Sequence, residues 1–563
     1  MMRMFSEHKK RETLSLDGVW TAQTLPGGHG QREGAKEGKH TVLVPSVWNT
    51  EVGMLEYEGK VSYERSFTTS GGCLKFDFGA VMTQASVYFD GELLGEHYGG
   101  FCKFSFTKYG VLPGEHTLTV VADNTFDINS IPQKLVDWFP YGGITRSVSV
   151  SRLSGICPIY SFLDYKLSED SAECLVRLEL RNAESEPVSD TVTVRIDGNE
   201  VARLDVRLDG GEYAERVVEF KLDGVKLWSP DSPTLYGLTV ESSTDDLCDR
   251  VGFRWVEASE GAVLLNGKPI RFLGVNRHEE HTDFGMAFPP ALMARELDLL
   301  CGMGGNFIRG SHYPNNPVFV DMMDERGIMF WSEIPMWGNG YNAERVRDPL
   351  FLERAMNMYR EMLREYYNHP SILIFGMFNE IDTTAPEVRE FATRVYSYMK
   401  KRCGNRLITY ASNKYNKDIC FDVCDVICLN AYVGWYESSN PGLASWDSMM
   451  KMMDEHYAAL GVDGKPKIMS EFGAAALYGY HTFDNLKWTE EYQAELLTDA
   501  INRFLSHPGY VGTLIWHFAD ARTSQAMGLG RARGYNNKGI LNEYRRPKMA
   551  YNAVREVYSK YNK

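Results

Sequence analysis

Two glutamates, Glu380 and Glu471, each come at the end of a strongly apolar run. Glu380 follows ILIFGMFN, and Glu471 follows KIMS. A single glutamate in such a place most often forms an ion pair or caps a helix. Two glutamates at the ends of strands that meet at the same edge of a fold can instead lie on either side of one substrate bond. Retaining glycosidases use a pair of carboxyl groups about 5–5.5 Å apart, one as the nucleophile and one as the proton donor and base. The two residues therefore predict hydrolysis of a glycosidic bond.

These glutamates need strands whose ends meet at one rim, and the C-terminal part of the chain predicts such strands. From about residue 257, apolar runs alternate with amphipathic stretches such as PPALMARELDLLCGM and DPLFLERAMNMYREMLREYY, the pattern of a parallel α/β fold. The eight strand candidates are RFLGVNRHE, FIRGS, IMFWSEIP, ILIFGMFNE, LITYAS, VICLNAY, KIMSEFG and VGTLIWHF. They predict a (β/α)8 barrel over 257–563, with Glu380 on strand four and Glu471 on strand seven.

The ends of other barrel strands also carry polar or aromatic residues. Active sites in this fold lie at the C-terminal ends of the strands, so residues there are candidates for binding and catalysis. They are Arg277, His278 and Glu279 on strand one, Arg309 and His312 after strand two, Asn379 on strand four, Asn430 and Tyr432 on strand six, and Trp516 and His517 on strand eight. One rim of the barrel is therefore the predicted site.

Antiparallel sheets are predicted for the part of the chain before the barrel. Residues 1–155 contain short alternating runs such as KFDFG, ASVYFDG and HTLTVVAD between glycine turns, which indicates a β-sandwich. Residues 156–256 alternate again in SAECLVRLEL, DTVTVRIDG and YGLTVES, with turns at immunoglobulin-like intervals. We therefore expect three domains, at 1–155, 156–256 and 257–563.

Composition argues against several classes of partner. Sixty basic and seventy-five acidic residues give a net charge of −15, which repels nucleic acid and anionic lipid. The N-terminus lacks the apolar stretch of an export signal, and no segment has about 20 apolar residues, so we expect a soluble, cytoplasmic protein. The spacing of Cys420, Cys424 and Cys428 could suit a metal, but their apolar surroundings favour buried thiols. Neither a metal nor a cofactor is predicted.

Motifs around the two glutamates and at other strand ends occur together in one known family. They are Asn276-Arg277-His278-Glu279, Ser311-His312-Tyr313-Pro314, Asn379-Glu380, Asn430 with Tyr432, Trp435 and Tyr436, Ser470-Glu471-Phe472-Gly473, Trp516, and the stretch YGGITR at 141–146. By these motifs the chain resembles glycoside hydrolase family 2 and, within it, the β-glucuronidases, over essentially its whole length. Ile381 is a departure, because many relatives have proline at this position.

The resemblance implies separate roles for the two glutamates. Glu380 would be the general acid/base and Glu471 the nucleophile, while Asn379 would bond the 2-hydroxyl of the sugar. The N-N-K-G loop after strand eight resembles the asparagine and lysine with which β-glucuronidases bind the sugar carboxylate. The first sandwich would be a jelly-roll-like sugar-binding domain. From the resemblance together with position at the strand ends, the predicted substrate-binding residues are Asp137, His312, Asn379, Asn430, Tyr432, Tyr436, Trp516, Asn536 and Lys538.

The implied activity is retaining exo-hydrolysis of β-D-glucuronides, with a small-molecule glucuronide or a uronic-acid-terminated saccharide as the ligand. Three alternatives stay open: a β-galacturonidase or an enzyme with both activities, a β-galactosidase or β-mannosidase of the same family, and a non-catalytic carbohydrate-binding protein. Arg531 and Arg533 are further candidates for contact with the sugar carboxylate. Because some family members form tetramers, the resemblance also suggests a homo-oligomer, either a tetramer or a dimer.

Overall fold

The N-terminal part of the computed structural model, which describes residues 2–561, is a β-sandwich. Its strands are β1 (Thr13–Ser15), β2 (Gly18–Thr24), β3 (His40–Val44), β4 (Lys60–Thr69), β5 (Gly72–Phe78), β6 (Val81–Met82), β7 (Gln84–Phe89), β8 (Glu92–Tyr98), β9 (Phe104–Val111), β10 (Gly114–Asp123), β11 (Gly143–Ile144) and β12 (Val148–Leu153). A sheet in the order β1-β12-β5-β9 and a sheet in the order β3-β2-β4-β10-β7-β8 enclose one apolar core, and β6 pairs with β11.

The segment between β10 and β11 reaches the barrel instead of continuing the sandwich. It carries Asp137 and Trp138, both of them buried. The Trp138 ring packs against the rings of His278, His312 and Trp337, at centroid distances of 5.7, 5.5 and 6.1 Å. The first sandwich therefore contributes residues to the rim of the barrel.

A second sandwich follows directly. Its strands are β13 (Ile156–Leu167), β14 (Ser171–Asn182), β15 (Val188–Ile196), β16 (Asn199–Leu208), β17 (Tyr213–Asp223), β18 (Tyr236–Glu241) and β19 (Asp246–Val251). They form the sheets β13-β14-β17 and β16-β15-β18-β19 around a core rich in valine and leucine. This arrangement of three plus four antiparallel strands is immunoglobulin-like, as the sequence predicts.

A three-stranded antiparallel sheet then leads into a closed parallel barrel. The small sheet consists of β20 (Val256–Ser259), β21 (Ala262–Leu265) and β22 (Lys268–Ile270). The barrel strands are β23 (Phe272–Asn276), β24 (Phe307–Gly310), β25 (Met329–Glu333), β26 (Ile372–Asn379), β27 (Leu407–Ser412), β28 (Ile427–Asn430), β29 (Lys467–Phe472) and β30 (Tyr510–Ile515). All eight predicted strands are confirmed. Side chains of the small sheet pack with those of the barrel interior in one cluster and close the end opposite the predicted site.

Seven α-helices surround the barrel in the described residues, and a hairpin of β31 (Ala521–Arg522) and β32 (Tyr535–Asn536) follows β30. The helices are α1 (Pro290–Gly302), α2 (Pro317–Arg326), α3 (Pro349–Glu365), α4 (Pro386–Lys400), α5 (Trp446–Leu460), α6 (Glu490–Ser506) and α7 (Met549–Tyr561). Between β27 and β28, residues 413–426 form loops and a short 3-10 turn, Tyr415–Lys417, in place of a helix. Within residues 2–561, no helix is long and apolar enough to span a bilayer.

Local signals explain why these helices form where they do. At the start of α3, the Asp348 side chain accepts hydrogen bonds from the Leu350 and Phe351 amides at 2.9 and 3.1 Å, and Pro349 occupies the first turn. The buried side chains of α3 recur at helical spacing and face the barrel: Phe351, Ala355, Met358, Tyr359, Met362 and Leu363. The three cysteines Cys420, Cys424 and Cys428 are buried, as predicted.

Candidate active site

A cavity of about 340 Å³ opens at the C-terminal ends of the barrel strands. Both strand-end glutamates line it. The lining residues are Asp137, Trp337, Glu380, Asn413, Tyr415, Tyr432, Val433, Tyr436, Glu437, Ser438, Leu443, Glu471, Trp516, Met527, Arg531 and Lys538. The cavity is therefore built mainly by loops that follow the barrel strands, and Asp137 comes to it from the first sandwich.

The two glutamates have different hydrogen-bond partners. Glu471, on β29, accepts from Arg309 Nη1 at 2.8 Å and from Tyr432 Oη at 2.7 Å. Glu380 follows β26 in a left-handed backbone conformation (φ 56°) and accepts from Asn430 Nδ2 at 2.9 Å. A left-handed backbone is costly for a residue other than glycine and is concentrated at functional sites. One carboxylate is thus paired with a guanidinium and a phenol, and the other with a neutral amide.

Asn379 connects these two sets of partners. Its Oδ1 atom accepts from Arg309 Nη2 at 2.7 Å and from Asn430 Nδ2 at 3.1 Å. The chain of contacts therefore runs from Glu471 through Arg309, Asn379 and Asn430 to Glu380. The Asn379 Nδ2 atom is buried and has no hydrogen-bond partner within residues 2–561, so it is a donor that a ligand could use.

Burial dominates the ionisation of the pair. It raises the pKa of Glu380 and the pKa of Glu471, and the nearby Glu380 carboxylate adds to the rise at Glu471. The hydrogen bonds from Arg309 and Tyr432 act in the opposite direction at Glu471, because they stabilise its charged form. Of the two carboxylates, Glu471 is the one whose negative charge is directly balanced by a cation.

Arg309 is the central cation of the site, although its sequence position predicts only that it lies at a strand end. It is fully buried on β24 and also forms an ion pair with Glu333, with Nη2 to Oε1 at 2.8 Å. The acids Glu333 and then Glu471 raise the pKa of Arg309 against the effect of burial, so it stays charged. Its guanidinium lies over the Trp331 ring, 4.4 Å from the centroid. This packing fixes the donors that point at Glu471.

The rings of His312 and Trp516 stack on each other, with Trp516 at the cavity wall and His312 behind it. Their ring centroids are 5.0 Å apart with an interplanar angle of 20°. His312 Nδ1 lies 2.7 Å from Glu333 Oε1, and burial lowers the pKa of His312 to about 4. A neutral imidazole hydrogen-bonded in this way carries its proton on Nδ1. Trp516 lines the cavity itself.

Lys538 supplies a buried cation at another part of the cavity wall. The residue is 1% exposed, and Nζ donates to Tyr436 Oη at 2.8 Å. The rings of Tyr432, Trp435 and Tyr436 surround the ammonium group, with centroids 5.4, 5.7 and 4.9 Å from Nζ. Burial lowers the pKa of Lys538. Within the described residues no carboxylate lies within ion-pair distance of Nζ, so the site can accept an anion.

Asp137 joins the first sandwich to the loop that carries Lys538. Arg531 donates to it through Nε at 2.9 Å and Nη2 at 2.5 Å, and Asn536 Nδ2 donates at 2.9 Å. Arg531 lines the cavity. Arg533 instead pairs with Glu543, with Nη1 to Oε1 at 2.9 Å, and does not line the cavity. Of the two arginines, only Arg531 is therefore placed to meet a ligand.

The structure brings all the predicted site residues into one region, in two groups. Those that line the cavity are Asp137, Glu380, Tyr432, Tyr436, Glu471, Trp516 and Lys538. Those that lie behind its wall and contact a lining residue or its partner are His312, Asn379, Asn430 and Asn536. Two lining residues that follow strand five, Asn413 and Tyr415, were not predicted from the sequence. The strand-end rule would have found both.

Two groups of acidic and histidine residues lie outside this cavity at distances that could suit a metal ion. They are His8 with Asp245 and Asp246, and Asp321 with Asp324 and His369. Their carboxylates already have partners: Asp245 pairs with Arg11 at 2.9 Å, and Asp321 pairs with Arg3 at 2.8 Å. We therefore assign no metal to either group.

The chain is similar to uronide-processing enzymes over nearly its whole length. A solved structure of a β-galacturonidase from Eisenbergiella tayi, bound to galacturonate, has a TM-score of 0.92 and 34% identity, covering 100% of this chain and 99% of that chain. A β-glucuronidase from Ruminococcus gnavus, in complex with D-glucaro-d-lactam, has a TM-score of 0.85 and 26% identity, covering 99% of each chain. The β-glucuronidase of Paenibacillus borealis is 27% identical over 603 residues, covering 97% of this chain and 96% of that protein.

Family models match the barrel and the second sandwich. The model described as glycosyl hydrolases family 2, TIM barrel domain, matches residues 256–563, and the model described as glycosyl hydrolases family 2 matches residues 161–254. The first of these matches alone spans more than half of the chain. With the carboxylate pair at the ends of strands four and seven, the chain belongs to glycosyl hydrolase family 2 and is a glycoside hydrolase.

Proposed function

We propose that this protein is a retaining exo-glycosidase that removes a terminal β-D-hexuronic acid from an aglycone or a saccharide. One observation carries the proposal: the carboxylate pair Glu380 and Glu471 shares a single cavity with the buried ammonium group of Lys538. The pair supplies the chemistry of glycoside cleavage. The lysine supplies a charge that selects a sugar with a carboxylate.

The reaction takes place in two displacements. Glu471 attacks the anomeric carbon and forms a glycosyl ester, while the bond to the leaving oxygen breaks and Glu380 gives that oxygen its proton. Glu380, now ionised, removes a proton from water, and the resulting hydroxide attacks the anomeric carbon and releases Glu471. Two inversions leave the product with the β configuration. No cofactor takes part in this sequence.

The hydrogen-bond partners support this division of roles. The nucleophile must be ionised, and Glu471 has the Arg309 guanidinium and the Tyr432 hydroxyl as donors. The general acid must hold a proton, and burial raises the pKa of Glu380, whose direct side-chain donor is the neutral Asn430 amide. Because Arg309 donates directly to the Glu471 carboxylate and no cation donates directly to that of Glu380 within residues 2–561, we assign the proton of the pair to Glu380.

The cationic wall supports a uronic acid over a neutral sugar. The Lys538 ammonium and the Arg531 guanidinium both line the cavity and can form charge-assisted hydrogen bonds to a carboxylate. Arg531 is partly neutralised by Asp137, whereas among the described residues the Tyr436 hydroxyl is the one side-chain hydrogen-bond partner of Lys538 Nζ. A neutral hexoside would leave this buried charge without an anionic partner, which is unfavourable.

The configuration at C4 decides between glucuronides and galacturonides. The motifs resemble those of β-glucuronidases, but the β-galacturonidase structure is the more similar in both identity, 34% against 26%, and TM-score, 0.92 against 0.85. We therefore expect β-D-galacturonides to be hydrolysed faster than β-D-glucuronides. Comparing kcat/KM for the two 4-nitrophenyl uronides in one buffer tests this order, and a faster glucuronide reaction would reverse it.

The charge of Lys538 gives a test of substrate class. We expect Lys538→Met to lower kcat/KM on the better uronide by at least about a hundredfold, because the buried partner of the carboxylate is lost. The matched 4-nitrophenyl galactoside and glucoside should be affected about tenfold less. Lys451→Met, at an exposed position on α5, is the control. Equal losses on charged and neutral sugars would contradict selection by Lys538.

The nucleophile and the stereochemistry can be tested together. Glu471→Ala should reduce turnover by at least about 10⁴-fold, because the carboxylate that forms the ester is lost. For the unaltered enzyme, ¹H NMR of the first product should show the β-anomer before mutarotation. Appearance of the α-anomer first would mean inversion and would rule out the glycosyl ester.

A further inference from the structure

Lys414 lies directly behind Glu380 and belongs to none of the family motifs in the sequence. It follows β27, and its Nζ atom donates to the main-chain oxygen of Glu380 at 3.0 Å. The same ammonium donates to Asn339 Oδ1 at 2.7 Å and to Asn413 Oδ1. One cation therefore joins the end of strand four to the loops after strands three and five.

Lys414 contacts Glu380 at its main chain, which has an unfavourable backbone conformation. Glu380 has φ 56°, so its main chain is in the left-handed region that L-residues other than asparagine and aspartate seldom adopt. Its amide donates to Ala411 O at 2.9 Å, and its carbonyl accepts from Lys414. Both main-chain polar groups of Glu380 are thus held by the strand-five side of the barrel. Rotation of this peptide would swing the carboxyl group away from the leaving oxygen.

The ammonium group also contributes charge close to the carboxyl group. The charged groups around Glu380 are Lys414, Arg309, Asp137 and the partner carboxylate Glu471, and those around Lys414 include Asp382 and Asp418. Lys414 is half-buried and does not line the cavity, so it acts on Glu380 and not on the substrate. Its positive charge favours the ionised form of Glu380 and so opposes the rise in pKa that burial causes.

We propose that Lys414 is a positioning residue for proton transfer, which holds the left-handed backbone of Glu380 so that its carboxyl group faces the leaving oxygen. This inference rests on the proposed role of Glu380 as the general acid. A positioning role of this kind has a specific signature: it matters most when the leaving group cannot depart without a proton. Hydrolysis of substrates with strongly acidic leaving groups should depend little on Lys414.

The test compares two leaving groups on the same uronic acid, 2,4-dinitrophenyl and phenyl. In Lys414→Met we expect kcat/KM for the phenyl uronide to fall about tenfold or more beyond the loss for the dinitrophenyl uronide. The alkaline limb of the kcat/KM profile should move up by about one pH unit, because Glu380 loses a neighbouring cation. Lys414→Arg should recover most of the kcat/KM on the phenyl uronide and return the alkaline limb most of the way to its original position. Lys417→Met, an exposed lysine in the same turn, is the matched control.

Two further variants distinguish a loss of positioning from a loss of folding or from a wrong assignment of the general acid. Asn339→Ala removes one acceptor of Lys414 and should give a smaller change in the same direction, which keeps the test available if Lys414→Met folds poorly. Equal losses on both leaving groups, with an unmoved alkaline limb, would overturn the positioning role. Glu380→Gln tests the underlying assignment separately: full activity of that variant on the phenyl uronide would refute the general acid itself, whatever Lys414 does.

Discussion

At the scale of single residues, the two glutamates differ because their neighbours differ. Glu471 is buried and Glu380 is half-buried, and desolvation raises the pKa of both, so desolvation alone does not distinguish their roles. Glu471 receives hydrogen bonds from a guanidinium and a phenol, which stabilise a carboxylate, while Glu380 receives one from an amide. This difference supports the proposed roles of Glu471 as the nucleophile and Glu380 as the acid.

The hydroxyl of Tyr432 gives a prediction at this scale. Burial raises the pKa of Tyr432, so it remains a donor to Glu471 Oε2 at 2.7 Å. Tyr432→Phe removes a bond that favours the ionised nucleophile, so the pKa of Glu471 should rise. A charge-assisted hydrogen bond is worth about 1.5–3 kcal/mol, so the acidic limb of kcat/KM should move up by about one to two pH units.

The pH profile of Tyr432→Phe distinguishes this effect from general damage to the site. The acidic limb should move while the alkaline limb, which reports Glu380, stays within about half a pH unit. Tyr478→Phe, at an exposed position in the loop after β29, should leave both limbs unchanged. A lower rate with both limbs in place would show that the hydroxyl does not tune Glu471.

At the scale of elements, the loop after β30 is held by a buried ion pair. Lys548 Nζ donates to Asp520 Oδ1 at 2.8 Å and to the main-chain oxygens of Ala476 and Asn537 at 2.7 and 3.0 Å. Asn537 stands between the two predicted carboxylate-recognition residues. Lys548 therefore anchors the loop that presents Lys538 and ties it to the loop after strand seven.

Removing this anchor should reduce both stability and activity. Lys548→Met leaves Asp520 buried without its cation, and breaking one partner of a buried pair costs about 3–5 kcal/mol. We expect a lower melting temperature in differential scanning calorimetry and a higher KM for the uronide. Lys560→Met, exposed on α7, is the control. Equal melting temperatures for the two variants would mean that the pair adds nothing to stability.

At the scale of the whole molecule, the YGGITR stretch fixes the first sandwich on the barrel. Tyr141 Oη donates to Glu280 Oε1 at 2.9 Å, and Arg146 Nη2 donates to Glu279 Oε1 at 3.1 Å. Arg146 also donates to the main-chain oxygens of Phe101 and Pro314 at 2.6 and 2.8 Å. A motif far from the glutamates in sequence thus has a structural explanation, since it docks the domain that delivers Asp137.

This docking predicts a long-range effect on the site. Arg146→Met leaves Glu279 without one of its buried cations and loosens the interface, so Asp137 should no longer be held against Arg531 and Asn536. We expect a fall in kcat/KM of about tenfold and faster proteolysis of the 124–142 segment. Arg152→Met, exposed on the same sandwich, should change neither. Unchanged activity and unchanged proteolysis would show that docking through the YGGITR motif does not affect the site.

The amino-acid sequence by itself determined the parts of this protein that depend on local pattern. Strand and helix periodicity predicted the two sandwiches and all eight barrel strands, because burial of one face leaves a regular mark along the chain. The same periodicity predicts that Glu380 and Glu471 lie at strand ends and therefore at one rim. From the sequence, their separate roles could be predicted only through the family resemblance.

Tertiary structure alone decided which side chains meet in the cavity. Asp137 and Arg531 are 394 residues apart in the chain, and no local pattern predicts their ion pair. Arg309 was visible as a strand-end residue, but its contact with Glu471 depends on how neighbouring strands align. Side chains in loops take their direction from packing between distant segments, and that packing separates Arg531, which lines the cavity, from Arg533, which pairs with Glu543.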